Sequence, residues 1–171
     1  FLSHGFSIEL PNQKLKGKKI PEFNVVKDEI CINIEAKRMD VDNIMDSIFG
    51  DRMTMGIDYR LSKQEKDIGY RRIASQFQNC YEKAYAKLPD IPADEYYLIF
   101  ILSYYKIGFI GKYTIDYINN LQDSWNGQNQ YNFIGVILPD NDKTNLIFNP
   151  QCNPEVFEII SKIPIDQYHS Y

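Results

Sequence analysis

The chain has 171 residues, 44% of them hydrophobic and 25% charged, which suits one globular domain (residues 1–171) with a substantial core rather than two. Its formal net charge of −4 is not the strongly basic balance of a protein that coats DNA, so any nucleic-acid contact has to be local. Three widely spaced cysteines (Cys31, Cys80 and Cys152), two histidines and no CxxC spacing indicate neither a disulfide framework nor a zinc site. With no apolar run of membrane-spanning length and no signal-peptide pattern, the expectation is a reducing, cytoplasmic setting without a membrane partner.

In chain order, Phe1 to Gly5 reads as the last turn of a helix stopped by Gly5, so an upstream helix is expected to have been lost. Phe6 to Leu10 alternates as a short strand that ends at Pro11 and Asn12. Lys14, Lys16, Lys18 and Lys19 then surround Gly17 in a positive turn, which taken alone is a solvated loop. Two strand-like runs and the charged turn Lys27-Asp28-Glu29 predict a β-hairpin over residues 20–37. Asp40 is placed to cap a short helix that Gly50 ends, with Asp42 and Asp46 one turn apart on its wet side. Residues 51–61 have no clear period and read as loop.

The best-signalled element follows. Ser62 and Glu65 form a capping box, and Tyr70, Ile73, Phe77, Cys80, Tyr81, Ala84 and Leu88 recur at spacings of three and four up to Pro89. Glu65, Arg72, Gln76 and Lys83 fall in a stripe along the border of that apolar face. Tyr96 to Leu102 is short, aromatic and β-branched, and reads as a strand covered on both faces. A strand, a long helix and another buried strand predict a right-handed crossover, with Tyr96 to Leu102 parallel to the strand carrying Glu35. Tyr113 to Trp125 reads as a helix, Phe133–Leu138 with Asn145–Phe148 as a peripheral hairpin, and Asn153-Pro154 as the start of a last helix.

The hairpin carries the chemistry. In its second run Ile32, Ile34 and Ala36 point one way, while Cys31, Asn33, Glu35 and Lys37 point the other. Pairing Glu22 with Glu35 sets Asn24 opposite Asn33 and Val26 opposite Cys31, and it puts Phe23 and Val25 with the apolar set. Glu22, Glu35 and Lys37 then share one face, which is the arrangement a metal-dependent hydrolase needs.

Pro21-Glu22 followed by Glu35-Ala36-Lys37, with 13 positions from Glu22 to Glu35, resembles the active-site hairpin of the PD-(D/E)xK nuclease superfamily, the restriction-endonuclease-like fold. The order of elements matches as well: truncated helix, strand, motif hairpin, long helix, buried strand. The likeness covers roughly residues 1–105, and the remainder reads as decoration. The first acid here is Glu22, where the family usually has aspartate.

The resemblance implies an α/β fold with a mixed central sheet flanked by helices, and a metal-dependent endonuclease. In that scheme Glu22, Glu35 and the backbone carbonyl of Ala36 hold Mg²⁺ or Mn²⁺, and Lys37 orients the attacking water or stabilises the transition state. Gln76 completes the site from the long helix. Glu9 is a stand-in for an acid that some members take from the first helix. His4 matches the position of a histidine in viral RNA endonucleases of this superfamily, though a lone histidine at a helix end is more simply a dipole-compensating group. Lys14, Lys16, Lys18, Lys19 and Arg72 become candidate phosphate contacts. DNA is the expected substrate, in restriction, defence, repair or recombination, and the protein is expected to act as a homodimer or as part of a larger protein. The alternatives are a catalytically inactive nucleic-acid-binding or protein-interaction module of the same fold, and an endonuclease acting on RNA.

Overall fold

The computed structural model describes residues 2, 5–10, 21–39, 62–88, 93–103, 112–125, 131–140 and 143–162. The lysine turn (Lys14, Lys16, Lys18 and Lys19), the short helix expected after Asp40 with Asp42 and Asp46, and both His4 and His169 lie outside these residues. Among the described residues the fold is α/β. Six strands, β1 (Ser7–Glu9), β2 (Phe23–Lys27), β3 (Ile30–Met39), β4 (Tyr96–Ser103), β5 (Phe133–Asp140) and β6 (Lys143–Phe148), form one sheet in sequential order. Three helices, α1 (Lys63–Tyr85), α2 (Lys112–Trp125) and α3 (Pro154–Ser161), flank it. None of these helices is long and apolar enough to cross a membrane.

The hairpin forms as its alternation requires. Val25 pairs with Ile32, Asn24 with Asn33 and Val26 with Cys31, the expected register. Its two-residue turn between the paired Lys27 and Ile30 places Asp28 at a φ of 52°, a left-handed conformation that aspartate tolerates. Shifting the register by one residue would carry Ile32 and Ile34 to the opposite face, so burial on both sides locks it.

Strands β3, β4 and β5 run parallel, and both crossovers step in the same direction across the sheet. Their helices α1 and α2 therefore lie on the same face. Ser62 caps α1 with the predicted box, its Oγ accepting from the Glu65 amide at 3.2 Å and its own amide donating to Glu65 Oε2 at 2.7 Å. From α1, Ile73, Phe77, Tyr81 and Ala84 pack with Trp125 of α2 on Met39, Tyr97, Ile99 and Phe133 of the sheet. Trp125 Nε1 donates to the Tyr81 hydroxyl at 2.9 Å, so the one polar atom of a buried indole is satisfied.

On the other face Val156 and Ile160 of α3 pack against Val25, Ile32, Ile34 and Leu98. Asn153 caps α3, its Oδ1 accepting from the Glu155 amide at 2.9 Å, and its Nδ2 donates to the Tyr96 hydroxyl at 2.6 Å. The hairpin expected at the periphery is instead part of the central sheet. Strand β5 lies parallel to β4, with Phe133, Ile134, Val136, Ile137 and Leu138 buried, and β6 pairs antiparallel on its outer side. A near-continuous apolar run is the mark of a strand covered on both faces, and the helix before it carries the chain back to the same end of the sheet.

Cys31, Cys80 and Cys152 are free thiols. Burial pushes both Cys31 and Cys152 up to about 11, and at Cys31 the charges of Glu95, Glu9 and Asp94 add to the effect. The thiolate is the nucleophile, so alkylation of these two cysteines at pH 8 is expected to run about 100-fold slower than for a thiol of ordinary pKa. Peptide mass spectrometry over a time course of iodoacetamide labelling reads this directly, and labelling at the ordinary rate would show that their surroundings do not hold these thiols protonated.

Candidate active site on the β2–β3 hairpin

Glu22 sits immediately before β2, and its amide donates to the Ile34 carbonyl at 3.1 Å. Phe23 pairs with the same Ile34, so Glu22 and Phe23 both face one partner residue, a bulge that ends the β2–β3 ladder before Glu35. Strand alternation also directs the Ala36 carbonyl to the same edge as that of Ile34, one step beyond the first ladder pair of β2. Glu35, Lys37 and the Ala36 carbonyl thus lie on one stretch of β3, and Glu22 sits beside Ile34 at the end of the ladder rather than paired with Glu35 as expected.

Their surroundings differ sharply. Glu22 is exposed, whereas Glu35 is 0% exposed, since α1 covers the face onto which Asn33, Glu35, Lys37 and Met39 project. That face was expected to carry charge, as it does; what the structure adds is that Glu35 on it is buried. An ionised carboxylate survives there only with compensation. Lys37 Nζ forms an ion pair with Oε1, and Lys87 Nζ donates to Oε2 at 2.7 Å. The lysine side chains are 25% and 19% exposed, so the cluster carries two positive charges against one negative and reaches water only at its cationic ends. Oε1 is buried and accepts no well-directed hydrogen bond, although Lys37 Nζ lies beside it.

Lys87 was not singled out by the sequence, and the end of α1 explains why it arrives. Pro89 disfavours helix at the residue before it, and the chain leaves α1 after Tyr85. The Lys87 amide then closes a tighter turn onto the Ala84 carbonyl at 3.0 Å. That carbonyl also accepts from the Tyr97 hydroxyl at 2.7 Å, and Tyr97 pairs with Asn33, two residues before Glu35. The backbone of Lys87 is therefore pinned to β4 beside the site. Burial, and then the negative charge of Glu35, hold the Tyr97 hydroxyl well above the usual tyrosine range, so it stays a neutral donor. One signal for Lys87 was present: it lies four residues beyond Lys83 on the stripe through Arg72, Gln76 and Lys83.

The other expected residues are placed as follows. Gln76 is half-buried on α1, with its amide oxygen enclosed, one turn before Cys80. The Cys80 thiol lies 3.6 Å from the Arg38 carbonyl, which sets this part of the helix near the far end of β3. Arg72, one turn earlier again, is half-buried. Glu9 is exposed on β1 and pairs with Asn24. Asn33, 3% exposed, uses its amide Nδ2 to bind Glu95 Oε2 at 2.6 Å and the Tyr96 carbonyl at 3.1 Å, so it braces the start of β4.

The implied divalent ion can be tested against these atoms. Among the described residues no group of three or more His, Cys, Asp or Glu side chains is gathered to hold a metal. Two carboxylates and a main-chain carbonyl are nonetheless a donor set of the right type for Mg²⁺, which keeps several waters and takes only one or two protein carboxylates. Oε1 of Glu35, enclosed and without a directed hydrogen bond, is the atom such an ion would use, in place of the Lys37 ammonium that pairs with it. No protein-family model, curated protein or solved structure matches this chain.

Proposed function

We propose that the protein is a metal-dependent endonuclease of restriction-endonuclease-like fold that hydrolyses phosphodiester bonds in DNA, with its site on the β2–β3 hairpin. The observation that carries this reading is that Glu35 and Lys37 are ion-paired on one face of β3, with Glu22 at the adjoining end of β2. Glu22, Glu35 and the Ala36 carbonyl would hold the ion, Mg²⁺ or Mn²⁺. When bound, such an ion supplies Lewis-acid charge compensation at the scissile phosphate. Lys37, two positions beyond Glu35 and partly open to water, presents an ammonium to orient the attacking water and to face the negative charge that builds on the phosphoryl oxygens. Covering by α1 keeps bulk water from the buried side of Glu35, where charge interactions are strongest.

The test incubates the full chain with supercoiled plasmid, single-stranded DNA and RNA in Mg²⁺ or Mn²⁺, beside Glu35→Gln and Lys37→Ala. Metal-dependent DNA cleavage is expected, reduced by about 10³-fold in each variant. Equal residual cleavage by all three proteins overturns the reading, and cleavage confined to RNA replaces the substrate class. A second reading, a phosphate-binding module without catalysis, is favoured by the excess positive charge of Lys37 and Lys87 around a single carboxylate. Retained DNA binding without cleavage in either metal selects it.

A further inference from the structure

Glu35 is the buried acid of the proposed site, and one of its two oxygens is already held by a cation of the chain itself. Lys87 Nζ binds Oε2 at 2.7 Å from a backbone pinned by its own amide and, through Ala84, by Tyr97. Lys87 comes from the helix end beside the start of β4, whereas Glu22 sits at the end of the β2–β3 ladder. The two sides of the carboxylate are therefore served by different elements, and the ammonium reaches Glu35 only through its flexible stem.

We propose that Lys87 is a tethered counter-cation of the site: it neutralises Glu35 while no divalent ion is present, and it opposes that ion's binding. This inference rests on the metal-dependent reading above. The sign follows from charge. A dication placed at Oε1 meets an ammonium fixed on the neighbouring oxygen of the same carboxylate, in an enclosed setting where repulsion is poorly screened. Removing the ammonium leaves the dication a carboxylate whose charge is no longer shared, and this outweighs the modest loss of side-chain order. Lys37, ion-paired with Oε1 itself, contributes a second repulsion and has to swing away for an ion to reach that oxygen. With the ion bound, Lys87 is released from its role on Oε2 and its charge becomes available to a phosphate. The expected design is weak binding of the ion by the free protein and stronger binding once the anionic substrate is present.

The experiment is a calorimetric Mn²⁺ titration of the full chain without nucleic acid, on wild type, Lys87→Met, Lys87→Arg and Glu35→Gln. Lys87→Met is expected to bind Mn²⁺ about 10-fold more tightly than wild type, Lys87→Arg to stay within about 3-fold of it, and Glu35→Gln to lose binding. Lys87→Gln keeps a donor for Oε2 without the charge and carries the same expectation as the methionine; it replaces that variant if circular dichroism shows it unfolded. Binding that depends on Glu35 but is unchanged or weaker without the Lys87 charge overturns the counter-cation and leaves the nuclease reading standing. Absence of Glu35-dependent binding in every variant overturns both.

Discussion

Glu35→Ala is expected to lower the unfolding free energy by about 3 kcal/mol, read as a fall in the urea midpoint at unchanged slope. The carboxylate is fully buried and compensated by two ammonium groups, so truncation leaves two like charges facing each other across a small cavity. Removing one partner of a buried ion pair typically costs about 3–5 kcal/mol, and here the lower end applies because Lys37 and Lys87 each retain a path to water. The cost is an uncompensated-charge effect, so it should be largely reversed when Lys37→Met and Lys87→Met are added to Glu35→Ala. This recovery separates charge from cavity: a cavity would persist in the triple variant. The destabilisation is expected whether or not the chain cleaves nucleic acid, because it depends on the ion cluster alone. An unchanged midpoint in Glu35→Ala would mean that the three charges are solvated independently.

Gly135→Ala is expected to be at least as damaging, about 3 kcal/mol or more by the same measurement. Gly135 lies in β5 at a φ of 146°, a conformation that L side chains rarely adopt. A Cβ there would fall onto the Ile147 carbonyl oxygen, well inside contact distance, and would stand 3.1 Å from the Ile147 carbonyl carbon and 3.2 Å from Phe148 Cα. All three atoms are backbone, so no side chain can swing aside. Relief would require β5 and β6 to separate, yet Gly135 is paired with Phe148, and Asn149 ties the end of β6 back to Phe133 and Ile134 at 2.8 and 2.9 Å. Neighbouring residues Ile134 and Val136 are fully buried, so displacing the strand disturbs both faces of the sheet. A loss below about 1 kcal/mol would show that the β5–β6 ladder gives way easily.

Several features were legible without coordinates because their signals are local. The register of β2 and β3 follows from period-two alternation on both runs, since a one-residue slip would place Ile32 and Ile34 where Asn33 and Glu35 must be. The start of α1 follows from Ser62 and Glu65, three residues apart and bonded reciprocally. The parallel relation of β3 and β4 follows from the long helix between them, which leaves a crossover as the connection that returns the chain to the sheet. Strand β5 shows the boundary of such reasoning. Its apolar run was visible, but its place beside β4 depended on where α2 delivered the chain.

The sequence by itself determined which residues face together on the hairpin, because side-chain direction in a strand is set by backbone geometry alone. It could not determine what covers that face. Glu35 reads as a surface acid until Phe77, Tyr81 and Ala84 bring α1 down over β3 and β4, and only that packing takes the carboxylate out of water. Burial then creates the need for compensation, and Lys87, 52 positions away in sequence, meets it. Contacts over such a separation have no local signature; they arise from where the helix ends and what its last turn is fastened to, here the Ala84 carbonyl and the Tyr97 hydroxyl. Alternation thus set Glu35 and Lys37 on one face of β3, while tertiary packing buried that face and added the second lysine.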